Sequence, residues 1–216
     1  MGPNGALYRD GRNRFIDVVR DADPATPVAT CPKWTVKDVL AHVAGIPADI
    51  LAGRIDGVAT DPWTAAQVEA RRAASVADIA DEWQQSGAQV DEMVDSFGPT
   101  GAQLLFDLTT HELDVRAAVG APFPDDLEVY DVALDFVMAN LLADAPLRFV
   151  AGDRTWTGTG EARATLTTTK REMIRAIAGR RSREQIAAMD WTGDPTPFLD
   201  AFASGPFTFP TSDIVE

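Results

Sequence analysis

The sequence predicts an α+β protein: an antiparallel helical bundle over residues 1–122, then a small α+β domain over residues 123–216. Three observations carry this. Apolar residues recur at helical spacing through the first 120 residues. The breaks between those runs are short, which favours antiparallel neighbours. Beyond Pro122 and Pro124 the texture changes to short Thr-rich and aromatic runs separated by glycine turns.

Leu7, Phe15, Val18 and Val19 place a first helix over residues 6–20, and Asp23-Pro24-Ala25-Thr26-Pro27 ends it. Thr35 is a good N-cap for a second helix, with Asp38 where a carboxylate suits the helix N-terminus. Val36, Val39, Leu40 and Val43 form its apolar stripe, and Gly45 with Pro47 is expected to weaken or end it. A third helix is expected from Pro62 to Ala73. A fourth begins at Ser75 and carries Val76, Ile79, Ala80, Trp83, Val90, Met93, Val94 and Phe97 to a stop at Gly98-Pro99. The fifth runs from Thr100 to Val119, with Gly120 as its C-terminal cap. In the second domain a helix from Val129 to Ala143 leads to runs at Leu147–Val150, Thr155–Thr157 and Ala162–Thr168, expected to form a small antiparallel sheet. Helices follow at Lys170–Ala178, Ser182–Met189 and Thr196–Ala203.

Composition narrows the function. The 19 basic and 33 acidic residues give a formal charge of −14, a surface that repels phosphate backbones, and no basic stretch offsets it. Nucleic acid is therefore not an expected partner. No apolar run reaches the length of a membrane span, and the N-terminus lacks the basic start and apolar stretch of a signal peptide. The single cysteine, Cys31, forms no internal disulfide and suits a reducing cytoplasm, where it is expected to pack rather than react. Trp34, Trp83, Trp156 and Trp191 are expected to fill cores.

The chain has only two histidines, His42 and His111. His111 falls on the apolar stripe of the fifth helix, between Leu108 and Val115, and Asp107 lies one turn before it on the same edge. A carboxylate and an imidazole turned into a bundle need partners, because burying either alone costs several kcal/mol by rough transfer estimates. A divalent metal satisfies both if a third ligand arrives from another helix, and His42 borders the second helix's stripe. The pair also stands without a metal, as a structural contact between Asp107 and His111. Asp114 reads either as a hydrogen-bond partner of a ligand histidine or as an exposed acid. Arg116 is turned away from His111 on the helical wheel.

The words around these residues resemble a known family. Cys31-Pro32-Lys33-Trp34-Thr35-Val36-Lys37-Asp38-Val39-Leu40-Ala41-His42-Val43-Ala44-Gly45 is similar to the "CPxWTVxDVxAHxxG" segment of the mycothiol-dependent maleylpyruvate isomerase-like family, a branch of the DinB-like four-helix-bundle proteins. His111-Glu112-Leu113-Asp114-Val115-Arg116-Ala117-Ala118-Val119-Gly120 resembles that family's "HxxDVRxAxG" segment. Glu69-Ala70-Arg71-Arg72 and Gly179-Arg180-Arg181-Ser182 sit where related chains carry Arg-rich marks. The resemblance implies a DinB-like four-helix bundle holding a divalent metal, usually zinc, on His42, Asp107 and His111. The isomerase itself carries Glu at the position of Asp107. The implied activity is a metal-dependent isomerase of maleylpyruvate type, or an S-transferase acting on a small electrophile, with mycothiol as thiol cofactor or co-substrate. Arg180 and Arg181 are the candidates for catalytic contact with a substrate carboxylate, since Arg suits bidentate carboxylate binding. The alternative is a non-catalytic ligand-binding protein that retains the metal-binding bundle. A cytoplasmic monomer or weak homodimer, with no membrane partner, is expected.

Overall fold

The computed structural model describes residues 2–141, 145–203 and 207–216. The chain divides into two compact units, Met1–Phe123 and Pro124–Glu216.

The first unit is a four-helix bundle with one added helix. Its members are α1 (Pro3–Arg20), α2 (Val36–Leu51), the successive helices α4 (Val76–Gln85) and α5 (Gly87–Ser96), and α6 (Gly101–Val119); α3 (Asp61–Ala70) lies against α2. Pro3 starts α1 at a position where the missing N–H has no partner to lose. Thr35 and Asp38 cap α2 reciprocally, as Ser75 and Asp78 cap α4. Trp83 is the largest fully buried side chain, set edge-on to Tyr8 at 6.2 Å and to Phe15 at 5.9 Å. A buried ion pair joins α1 to α5, Arg12 to Asp91 at 2.9 Å.

Two expectations fail here for physical reasons. The helix over 75–97 is two helices broken at Ser86, whose hydroxyl bonds the carbonyls of Glu82 and Trp83 and so competes with the ladder. Gly87 follows, and a Cβ there would stand 2.9 Å from the Arg12 guanidinium, so the buried pair requires that gap. Conversely, α2 does not end at Gly45-Pro47 but runs through Pro47 to Leu51. Its first turns are capped and packed by Val36, Val39 and Leu40, all fully buried, which outweighs one missing hydrogen bond. As expected, Gly120 ends α6 in the left-handed region at φ 65°.

The second unit opens with α7 (Glu128–Leu141); the expected end of this helix at Ala143 lies outside the described residues. Strands β1 (Leu147–Ala151), β2 (Arg154–Thr157), β3 (Ala164–Thr168) and β4 (Asp190–Thr192) form a sheet in the order β2-β1-β3-β4. The sheet is mixed, not antiparallel: β1 pairs β2 antiparallel, β3 parallel, and β3 pairs β4 antiparallel. After the hairpin, the chain carries β3 past β2 to the other edge of β1, and a third strand placed there runs with the first. Burial selects that edge, since Leu147, Phe149, Ala151 and Leu166 are all fully buried. β4 is a three-residue strand with no sequence signal of its own. α8 (Lys170–Ile177) packs on α7, α9 (Arg183–Ala187) is short, and Thr196–Phe202 is a 3-10 helix. Trp191 packs edge-on to Phe149 and Phe202, whereas Trp156 is half-exposed and bonds Asp135 instead of filling the core.

No helix among the described residues is long and apolar enough to cross a membrane.

Candidate metal centre

α6 is the helix on which the site is built. From Leu108 to Val115 every residue is buried, so α6 lies deep within the bundle and its polar side chains face protein on all sides. Each is answered. Glu112 takes Arg14 of α1 at 3.1 Å and Arg116 at 2.9 Å, which accounts for Arg116 pointing away from His111. Asp114, 1% exposed, accepts from Thr30 at 2.7 Å and from the Cys31 thiol at 3.7 Å, and lies 3.1 Å from His111 Nδ1. Asp114 is thus the hydrogen-bond partner of a histidine and not an exposed acid.

That contact fixes the imidazole. A carboxylate that accepts from Thr30 and Cys31 has only acceptor capacity toward the ring, so in neutral His111 the proton sits on Nδ1 and the lone pair on Nε2. Nε2 faces Asp107 Oδ1 at 3.8 Å, and His42 Nε2 faces the same oxygen at 3.8 Å. These separations exceed a hydrogen bond. The rings of His42 and His111 stand perpendicular, with centroids 5.1 Å apart. Both histidines are buried, while the Asp107 side chain is 34% exposed and gives the cluster its opening. The Trp34 ring packs at a tilt against both imidazoles, with centroids 4.9 Å from His42 and 6.1 Å from His111, and also lines a cleft of about 330 Å³ with Cys31, Lys33, Asp61 and Thr64.

The donor atoms of His42, Asp107 and His111 lie within 4.8 Å of one another. Two ligands at about 2.1 Å from one ion, set at a tetrahedral angle, stand about 3.4 Å apart, so closing 3.8 Å to that value needs only a few tenths of an ångström. The residues fit a divalent ion with three protein donors. Among the described residues a second group, Cys31, His111 and Asp114, has comparable spacing, but there the thiol and Nδ1 point at Asp114 as hydrogen-bond donors. Nearby, burial and then the charge of Asp107 raise the Tyr8 hydroxyl far above its ordinary range, so it stays protonated.

The sequence singled out the three converging residues but missed Gln67 and the contact of Trp34 with both histidines. Gln67 of α3 is 2% exposed, with Oε1 2.8 Å from His42 Nδ1. The available signal was Gly45, one turn after His42: a Cβ there would lie 2.6 Å from Gln67 Cβ, so the glycine opens the gap that admits Gln67. Arg180 and Arg181 belong to the second unit. Arg181 donates to Glu172 at 2.9 Å and Glu216 at 3.1 Å, and Arg180 to the Ala178 carbonyl at 2.5 Å.

Fold and site together define a class: a helical-bundle protein whose buried histidines meet a carboxylate at metal-ligand dimensions. The comparisons with known proteins narrow it. The family model for the mycothiol maleylpyruvate isomerase N-terminal domain matches residues 8–121, and the chain belongs to that family. Two solved structures share the fold: the crystal structure of the mycothiol-dependent maleylpyruvate isomerase, 14% identical, and that of a mutant lacking one histidine, 13% identical. In each case the TM-score is 0.54, with 82% of this chain and 88% of the other covered. No curated protein sequence matches the chain.

Proposed function

We propose that this protein is a metal-dependent enzyme that uses mycothiol, acting on a small electrophile either as an isomerase of the maleylpyruvate type or as an S-transferase. One observation carries the proposal. His42 and His111 each have Nδ1 engaged by a hydrogen-bond partner, and each presents Nε2 to the same oxygen of Asp107. Zinc suits the two nitrogens and one carboxylate oxygen, and three protein donors leave a coordination position open. When bound, the ion supplies Lewis acidity that holds a coordinating thiol as its thiolate. Mycothiol, on which the solved relative depends, supplies the nucleophile, which adds reversibly in an isomerisation and stays attached in a transfer.

The chain's own residues do the rest. Asp114 and Gln67 hold the imidazoles in orientation, Asp107 contributes the negative charge at the opening, and Trp34 shields the rings from water and walls the neighbouring cleft. Cys31 is hydrogen-bonded to Asp114 and is not the nucleophile. A lone, half-buried cysteine and the use of a small thiol both support a cytoplasmic location. Arg180 or Arg181 keeps the role of holding a substrate carboxylate; Arg180→Gln or Arg181→Gln should raise KM for a carboxylate substrate while leaving metal content unchanged.

The test is turnover of maleylpyruvate, or consumption of thiol with a panel of electrophiles, using metal-free protein as control. Activity should require added low-molecular-weight thiol, favour mycothiol over glutathione, and survive Cys31→Ser. Saturable mycothiol binding with no turnover would replace the enzyme by the ligand-binding protein. No mycothiol binding at millimolar thiol by the metal-loaded protein would overturn the proposal.

A further inference from the structure

Behind His42 lies a chain of hydrogen bonds that leads away from the cluster. His42 Nδ1 meets Gln67 Oε1 at 2.8 Å, Gln67 Nε2 donates to Asp49 Oδ2 at 3.0 Å, and Asp49 Oδ1 accepts from Arg54 Nε at 2.8 Å and pairs with its Nη2 at 2.7 Å. Three elements contribute: His42 and Asp49 from α2, Gln67 from α3, and Arg54 from the loop between them.

The chemistry of the chain has a direction. A carboxylate paired with Arg54 has only acceptors to offer, so the group that Gln67 turns toward Asp49 must be its NH2. The carboxamide oxygen is then left facing His42, and an oxygen only accepts. His42 must therefore donate at Nδ1, which in the neutral ring leaves Nε2 as the lone-pair nitrogen turned toward Asp107. Free neutral imidazole has both tautomers at hand; here the choice is made by a carboxylate that does not touch the ring.

We infer that Asp49, acting through the Gln67 carboxamide, is a positioning residue that sets the His42 tautomer and so makes His42 competent as a ligand. The consequence for ligation rests on the metal reading above, whereas the tautomer is a property of the metal-free chain. Asp114 does the same for His111 by direct contact, and the longer route to His42 makes a sharper test.

In Asp49→Asn the side chain keeps its size but gains a donor. Gln67 is then free to turn over, present its NH2 to His42 and invert the tautomer. Adding Gln67→Glu removes that freedom, since a carboxylate accepts from His42 whatever Asn at 49 donates, and the original tautomer should return. The measurement is long-range proton–nitrogen NMR of the two imidazoles in 15N-labelled, metal-free protein, at a pH where the ring signals no longer shift. His42 should be protonated at Nδ1 in the parent chain, predominantly at Nε2 in Asp49→Asn, and at Nδ1 again in the double variant. Zinc affinity measured alongside should fall 10–100-fold in Asp49→Asn and recover in the double variant, the range found when such outer partners are removed. A merely structural role would lower stability without changing which nitrogen bears the proton, and circular dichroism would show that. An Nε2-protonated His42 in the parent chain, or an unchanged tautomer in Asp49→Asn, would overturn the inference. The expected tautomers in a chain that binds no metal would uphold the inference and sink the metal reading instead.

Discussion

Replacing Gly45 by alanine sets two physical effects against each other. By intrinsic propensity the change should stabilise α2 by about 1 kcal/mol, because glycine is a poor residue for a helix interior. Packing says the reverse. The new Cβ would stand 2.6 Å from Gln67 Cβ, 2.7 Å from its Cγ and 2.9 Å from Arg71 Nη1. Carbon atoms settle at about 3.5–4.0 Å, so α3 must withdraw by about 1 Å. Gln67 Cβ is the root of its side chain and has no rotamer that escapes. A retreat of that size carries the contact of Gln67 with His42 from 2.8 Å to well beyond a hydrogen bond. Overpacking costs about 1–3 kcal/mol. A buried donor and acceptor left apart cost about 1–3 kcal/mol more. Net of propensity, Gly45→Ala should destabilise the protein by about 1–5 kcal/mol. Urea unfolding followed by tryptophan fluorescence, which reports on Trp34 and Trp83, measures it. A variant as stable as the parent, or more so, would show that α3 is not held at that distance and would refute the reasoning.

Three further outcomes follow from the same geometry. Asp91→Ala should cost about 3–5 kcal/mol in the same unfolding assay, because it strands the buried Arg12 between α1 and α5. Asp107→Glu should keep metal binding within about tenfold by calorimetric titration, since the half-exposed side chain has room to lengthen and carboxylate oxygen remains the donor. The Asp78 carboxyl is held below its ordinary range by hydrogen bonds from the side chain and then the backbone of Ser75. Its contribution is therefore present above the unfolded-state value and is lost as pH falls through the lowered folded one. Ser75→Ala should flatten the acid limb of the stability curve, read by unfolding at a series of pH values.

Local rules made part of this molecule legible. Thr35 with Asp38 announced one helix start, Ser75 another, and Gly120 a helix end, because caps depend on neighbours in sequence. Asp107 and His111 were readable as one face of α6 for the same reason. What depended on distant packing was not. The break at Ser86-Gly87 sits where the Arg12 guanidinium reaches in from α1, a contact that no local rule announces. The position of β3 beside β1 was fixed by which strands share buried Phe149 and Leu166, and strand spacing carries no such information. Nothing local in the sequence ties Gln67 or Asp49 to His42. Only the approach of α3 to the gap at Gly45 turns Gln67 toward His42. Likewise Trp34, expected to fill a core, packs at a tilt against both imidazoles.

The central claim is that His42, Asp107 and His111 hold one divalent ion. Its most direct test is the metal content and zinc titration of protein stripped of metal, with His111→Ala and the His42→Ala plus His111→Ala double variant alongside. The account predicts one ion per parent chain, binding abolished by His111→Ala, and none taken up by the double variant. Full metal content in that double variant would contradict it.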